Sequence, residues 1–263
     1  MRIYCVREVF TCAAFRIPVA LLQIEIYGIL RAVDLKGTAV MINDILLIIM
    51  EWIGTIAFSV SGSLVAISCG LDLFGVLTVG CITATGGGMM RDIILGNIPP
   101  QIFSNTHILL VAMLTSLAVF IIAYANSRRF NGLRERIDII NNFFDALGLA
   151  VFSLTGVEIA HGIGASGDVV LSITAGVLSG VGGGVLRDVL VNEKPYVLTK
   201  HIYAVASVLG SSIYYVMSIW WNHRILGTLV CISLVLFIRL MAAKYHWRLP
   251  KIKLDEEESC RKG

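Results

Sequence analysis

The sequence predicts an all-α polytopic membrane protein: seven transmembrane helices, arranged as two inverted three-helix repeats plus a final helix. Three observations carry this. Of 263 residues, 57% are hydrophobic and 15% are charged, against about 45–50% and about 25% in soluble domains. Seven apolar runs approach the roughly 20 residues that a bilayer crossing needs. Two sequence blocks recur at nearly constant spacing, the signature of an internal duplication. Disorder is excluded, because disordered chains are polar and rich in charge. The chain holds 25 Gly but 5 Pro, which suits closely packed membrane helices.

The elements follow in order. Residues 1–43 form an N-terminal extension. Its apolar run Val19–Leu30 is short for a span and is interrupted or flanked by Arg16, Pro18, Gln23 and Glu25. No small-residue cleavage site follows it, so it does not read as a signal peptide. The expectation is a mis-assigned start, with Met41 or Met50 as initiator. The first repeat, 44–126, holds spans Asp44–Ser68, Phe74–Ile98 and His107–Asn126. A basic loop, 127–138, leads to the second repeat, 139–221, with spans Ile139–His161, Val169–Leu190 and His201–Trp221. The seventh span is Ile225–Ala243 and a tail, 244–263, follows. Asp72 and Asp168 each precede an apolar run and are expected to be N-caps of the second and fifth helices.

Charge placement orients the chain. Between Asp44 and Asn126 the only Lys or Arg is Arg91. Arg128, Arg129, Arg134, Arg136, Lys194, Lys200 and the basic residues after Met241 all fall on one side of a seven-span arrangement. The opposite loops after the first span hold Arg224. The positive-inside rule then makes the C-terminus cytoplasmic in a cell inner membrane. Basic loops beside long bare stretches indicate topology and not a nucleic-acid surface.

The duplication is specific. Ile53–Gly62 matches Leu147–Gly156 at an offset of 94, and Gly86-Gly87-Gly88-Met89-Met90-Arg91-Asp92 matches Gly182-Gly183-Gly184-Val185-Leu186-Arg187-Asp188 at an offset of 96. Three spans per copy force the second copy to enter from the opposite side, the inverted arrangement of many transporters. Three successive Gly weaken a helix by about 1 kcal/mol each relative to Ala. They also let another backbone or an ion come close. Helices two and five are therefore expected to kink at Gly86–Gly88 and Gly182–Gly184, facing the protein interior. Arg91 is expected in the outer half of the bilayer and Arg187 in the inner half, guarding a passage from opposite sides. Adjacent Arg and Asp do not share a helix face, so Arg91 is expected to reach an Asp or a carbonyl on another helix. The alternative is a purely structural ion pair, with the triplets serving close packing.

Other polar residues carry weaker signals. Thr78, Thr83, Thr85 and Thr174 either line a passage or bond back to their own helices. Glu51 and Asp145, near the starts of helices one and four, read as snorkelling or capping groups. Glu158 and His161 fit interfacial placement as well as ion binding. Tyr203, Tyr214, Tyr215, Trp220 and Trp221 read in part as an interfacial belt. The six Cys show neither CxxC nor metal spacing. Without a Walker loop, metal-ligand spacing or nucleophile motif, no enzyme activity, cofactor or metal is expected.

The paired GGGxxRD blocks, Phe74-Gly75-Val76 and Asp145-Ala146-Leu147-Gly148 resemble the bacterial glycine-transporter-domain family, a prokaryotic branch of the trimeric intracellular cation (TRIC) channels. The resemblance spans about residues 44–248. It implies a seven-helix protomer, a homotrimer, and one pore per protomer between helices two and five. It implies K⁺/Na⁺ permeation, whereas the domain's name implies glycine movement. Gly86, Gly87, Gly88, Arg91 and Asp92, with Gly182, Gly183, Gly184, Arg187 and Asp188, carry the motif as pore or hinge residues. The basic lipid-binding motif of the animal channels is not evident. Three functions stand at this point: a passive pore for monovalent cations, a carrier of glycine or another small amino acid, and a non-transporting scaffold.

Overall fold

Each long helix ends where the sequence supplies a stop. A computed structural model describes residues 35–125, 134–199 and 202–245. The helices are α1 (Leu35–Ser68), α2 (Leu73–Ile94), α3 (Thr106–Ala125), α4 (Arg134–Gly162), α5 (Val169–Leu190), α6 (Ile202–Tyr215) and α7 (Arg224–Lys244). A π-helical turn, Val216–Trp220, extends α6, and single helical turns Gln101–Ser104 and Tyr196–Thr199 precede α3 and α6. All seven carry a stretch long and apolar enough to cross a membrane, with Ile45–Ser68 the stretch in α1. The chain divides into two compact units, 1–48 and 49–263. Of the first, residues 35–48 are described, as the beginning of α1. The N-terminal extension up to residue 34, most of the basic loop and the tail beyond Tyr245 lie outside the described residues.

The helix ends show why the breaks fall where they do. Asp72 and Asp168 accept hydrogen bonds from the backbone N–H of Gly75 and Leu171, capping α2 and α5 as expected. The second span stops at Ile94, short of the expected Ile98. Gly96 takes φ +69° and closes a Schellman turn, with Asn97 N–H donating to the Asp92 carbonyl. Its counterpart Asn192, at φ 58°, does the same after α5, and Glu193 N–H donates to the Asp188 carbonyl. These matched turns send the chain back over the Arg-Asp pair in each repeat.

The two repeats meet through equivalent positions. Phe58 and Phe152, related by the first offset, stack at 5.2 Å between ring centroids. A side chain on Gly54 would strike Phe152, and one on Gly148 would strike Phe58. The same reciprocity holds between α2 and α5. A Cβ on Gly87 would run into the Ser179 carbonyl, and one on Gly183 into the Thr83 carbonyl. Gly86 faces Leu186 and Gly182 faces Met90. Contact positions fall on one helix as they rise on the other, so α2 and α5 cross antiparallel. Reciprocal contact between equivalent residues is what a two-fold arrangement produces. The α4 span is mostly buried while α3 presents its apolar side chains outward.

Candidate functional site

The three glycines of each triplet have different jobs. The backbone stays α-helical through both triplets. Gly87 and Gly183 bring α2 and α5 into backbone contact, the close approach that small residues permit. Gly88 and Gly184 are seats for the arginines. A helical side chain lies over the turn N-terminal to it, so Arg91 and Arg187 fold back over the glycine three positions earlier. Arg91 Nη2 and Arg187 Nη2 stand 3.7 and 3.8 Å from where a Cβ of Gly88 or Gly184 would be.

Both arginines are buried and both pair with the neighbouring aspartate. Arg91 donates from Nε and Nη2 to Asp92 Oδ1 at 2.9 and 2.7 Å. Arg187 Nε donates to Asp188 Oδ1 at 2.8 Å. This corrects the expectation that sequence neighbours cannot meet: the long guanidinium arm curls across the helix surface to its neighbour. The other carboxylate oxygen is held by the returning chain, through Gln101 N–H on Asp92 and Tyr196 N–H on Asp188. Arg91 touches another helix at Ser179 Oγ, 3.5 Å away.

Beyond that shared frame the two centres differ. Arg187 is fully enclosed and donates from Nη1 to Asp145 Oδ1 at 2.8 Å and to Ser61 Oγ at 2.7 Å. Asp145 is also fully buried, and its second oxygen accepts from Arg239 Nη2 of α7 at 2.9 Å. Tyr203 lies beneath Arg239, with the guanidinium 4.4 Å from its ring centre, and its hydroxyl sits 3.4 Å from Asp145 Oδ1. Asp145 is therefore neither a cap nor a snorkelling group, but the carboxylate that two buried arginines share. Around Arg91 the space is partly open. A cavity of ≈ 30 Å³ is lined by Glu51, Thr55, Thr85, Gly88, Arg91, Asp92, Gln101 and apolar neighbours.

Sequence reasoning missed Arg239, Ser61 and Asn141, whose carbonyl accepts from Ser61. Arg239 is a lone charge inside an apolar span, which is itself a functional signal. Ser61 lies in a repeat block and carries no other sequence mark. Thr83 and Thr85 bond back to Val79 and Cys81 carbonyls, and Thr85 also lines the cavity. Thr78 is half-buried and Thr174 is exposed. Tyr203, Tyr214 and Tyr215 are buried, which leaves Trp220 and Trp221 as the exposed part of the expected aromatic belt. Glu158 is not simply interfacial either. It is buried and accepts from Tyr214, Ser218 and Arg224, the last at 2.5 Å. At the other end a polar cavity of ≈ 260 Å³ is lined by residues including Ser68, Cys69, Asp138, Asn141 and Glu193. Burial, then the adjacent Glu193, pushes the Cys69 thiol above its ordinary pKa, which keeps it protonated and a poor nucleophile.

The glycine transporter family model matches this chain twice, at residues 48–124 and 142–218. The chain belongs to the glycine transporter family. The two matches fall one in each half of the chain. Among its relatives, the UPF0126 inner membrane protein YadS of Escherichia coli is 34% identical over 79% of this chain and 96% of its own length. A UPF0126 membrane protein of Deinococcus radiodurans is 35% identical over 79% and 92%. Solved structures share the fold. A prokaryotic TRIC channel crystallised in 0.5 M KCl is 37% identical with a TM-score of 0.68, over 78% of this chain and 99% of that one. The TRIC orthologue of Rhodobacter sphaeroides is 28% identical with a TM-score of 0.68, over 77% and 99%. This chain is thus a seven-helix membrane protein of the glycine transporter family with the fold of TRIC channels.

Proposed function

We propose that this protein is a passive pathway for monovalent cations, K⁺ or Na⁺, with one route per protomer of a homotrimer. The observation that carries the reading is the α2–α5 crossing, with a charge-paired arginine on each side of it. That crossing sits in a fold shared with TRIC cation channels at 28–37% identity. Each arginine is neutralised by its own aspartate, so neither presents a bare positive barrier to a cation. The described conformation is closed at the crossing, where Gly87 and Gly183 touch backbone atoms of the facing helix. Opening separates α2 from α5, with a bend at each triplet and rearrangement of the Arg-Asp pairs. The halves, 44–126 and 139–221, are inverted in the bilayer, and the antiparallel, reciprocal contacts support this. The loop 127–138 and the C-terminal tail lie in the cytoplasm. Nothing in this reading calls for catalysis.

The test is reconstitution of the purified protein in a planar bilayer. Discrete K⁺ currents are expected, with the current altered in both Arg91→Ala and Arg187→Ala. Saturable glycine uptake without such currents overturns the reading in favour of a carrier. Verified folded protein with neither activity makes it a scaffold.

A further inference from the structure

The two repeats place a carboxylate at the same position, Glu51 in the first and Asp145 in the second, related by the offset of 94. In the second repeat the protein supplies that carboxylate with a cation of its own, Arg239. Two positive and two negative groups then balance. Arg239 comes from α7, which has no counterpart on the first repeat. Around Arg91, Asp92 is taken up by Arg91 and by Gln101 N–H, and among the described residues Glu51 has no second cation. The first centre is one positive charge short of the second.

The walls differ in the same sense. Thr55, Thr85 and Gln101 line the first cavity. The equivalents of Thr55 and Thr85 are Leu149 and Val181, which pack into the apolar core. The hydroxyl of Thr55, a residue 1% exposed, has no hydrogen-bond partner among the described residues. A buried hydroxyl without a partner is costly. It is satisfied when something polar occupies the cavity. At the position of Tyr203, which fills the space beside Asp145, the first repeat has Ile108, a smaller side chain that lines the cavity.

We propose that the cavity between Glu51 and Arg91 binds one small monovalent cation, the charge that Arg239 provides in the other repeat. The Glu51 carboxylate and the hydroxyls of Thr55 and Thr85 are its oxygen ligands. Size and charge select it. About 10–15 Å³ of such space holds one water-sized particle, so ≈ 30 Å³ admits a cation with at most one water and excludes an amino acid. Among the described residues no three His, Cys, Asp or Glu side chains converge to hold a metal ion, and one unpaired carboxylate matches a single charge. The inference names a stop on the proposed cation route and rests on that reading for its purpose, but binding is measured without any current.

Full-length protein in detergent is melted, followed by tryptophan fluorescence, while N-methyl-D-glucamine chloride is replaced by RbCl, KCl or NaCl at constant ionic strength. A saturable rise in Tm is expected for at least one alkali cation. Glu51→Gln abolishes it, and Thr55→Val, which leaves the charge in place, shifts its midpoint about tenfold or more. Crystals grown in RbCl show an anomalous peak between Glu51 and Thr55. An unchanged response in Thr55→Val overturns the proposal even where Glu51→Gln fails to fold. So does a folded wild-type protein that responds equally to N-methyl-D-glucamine, since a proton or water then fills the cavity. Absent currents alongside this binding would sink the channel reading and leave the site standing.

Discussion

The two repeats share a motif and diverge at its centre. In both, the second glycine makes the helix crossing, the third seats the arginine, the arginine pairs with its neighbour, and a Schellman turn returns a backbone N–H to the aspartate. In the second repeat Arg239 and Tyr203 then seal the site. In the first, Glu51, Thr55, Thr85 and Gln101 line a small cavity among apolar neighbours. The duplicated residues therefore encode the frame that both halves need to cross each other. The unduplicated seventh helix breaks the symmetry, and it does so by delivering one charge. A pathway built from inverted halves needs an equal crossing and has no need of equal mouths.

The largest effect is expected where the halves are most alike. Gly87→Ala and Gly183→Ala each push a methyl into a carbonyl on the facing helix, and backbone cannot rotate away as a side chain can. Each variant should lose about 3 kcal/mol or more, seen as a drop in monodisperse protein by size-exclusion fluorescence. If one is tolerated and the other is not, the reciprocal crossing is wrong.

The next effect separates the centres. Asp145→Asn strips the shared partner from two buried arginines, and breaking a buried pair costs about 3–5 kcal/mol. Glu51→Gln breaks no ion pair among the described residues and should cost about 1 kcal/mol. Melting curves of the two variants in a buffer free of alkali cations check the contrast. Equal losses would mean that the first centre is as tightly paired as the second.

The frame was legible in the sequence and the centre was not, for physical reasons. The two glycine triplets announce close approach, and at Gly87 and Gly183 even a methyl would run into the facing backbone. Asp72 and Asp168 announce helix starts because they sit directly before apolar runs. Partnership is a different matter. Asp145 and Arg239 lie 94 residues apart, and no local pattern joins them. The reach of Arg91 to Asp92 was misjudged because the facing rule concerns Cβ directions, whereas a guanidinium ends several bonds further out and can curl back. Arg239 stands as a lone charge in the apolar span Ile225–Ala243, a signal that says nothing of its partner.

The finest distinction falls on the third glycine, where one substitution should change sign between repeats. At Gly88 an added methyl meets Arg91 at 3.7 Å, an ordinary contact, and little else. Ala is favoured over Gly in a helix by about 1 kcal/mol, so Gly88→Ala should hold or raise the melting temperature. At Gly184 the same methyl comes to 2.7 Å from the Tyr203 hydroxyl. That side chain is fully buried against Asp145 and Arg239 and has nowhere to retreat. Overpacking of this kind costs about 1–3 kcal/mol, which outweighs the helical gain. Gly184→Ala should therefore melt lower than wild type. Removing the obstructing hydroxyl isolates the cause: in a Tyr203→Phe background the cost of Gly184→Ala should shrink, as read from a double-mutant cycle. If the cost persists undiminished, the seal over Asp145 is looser than the described packing, and the contrast between an open and a closed centre fails with it.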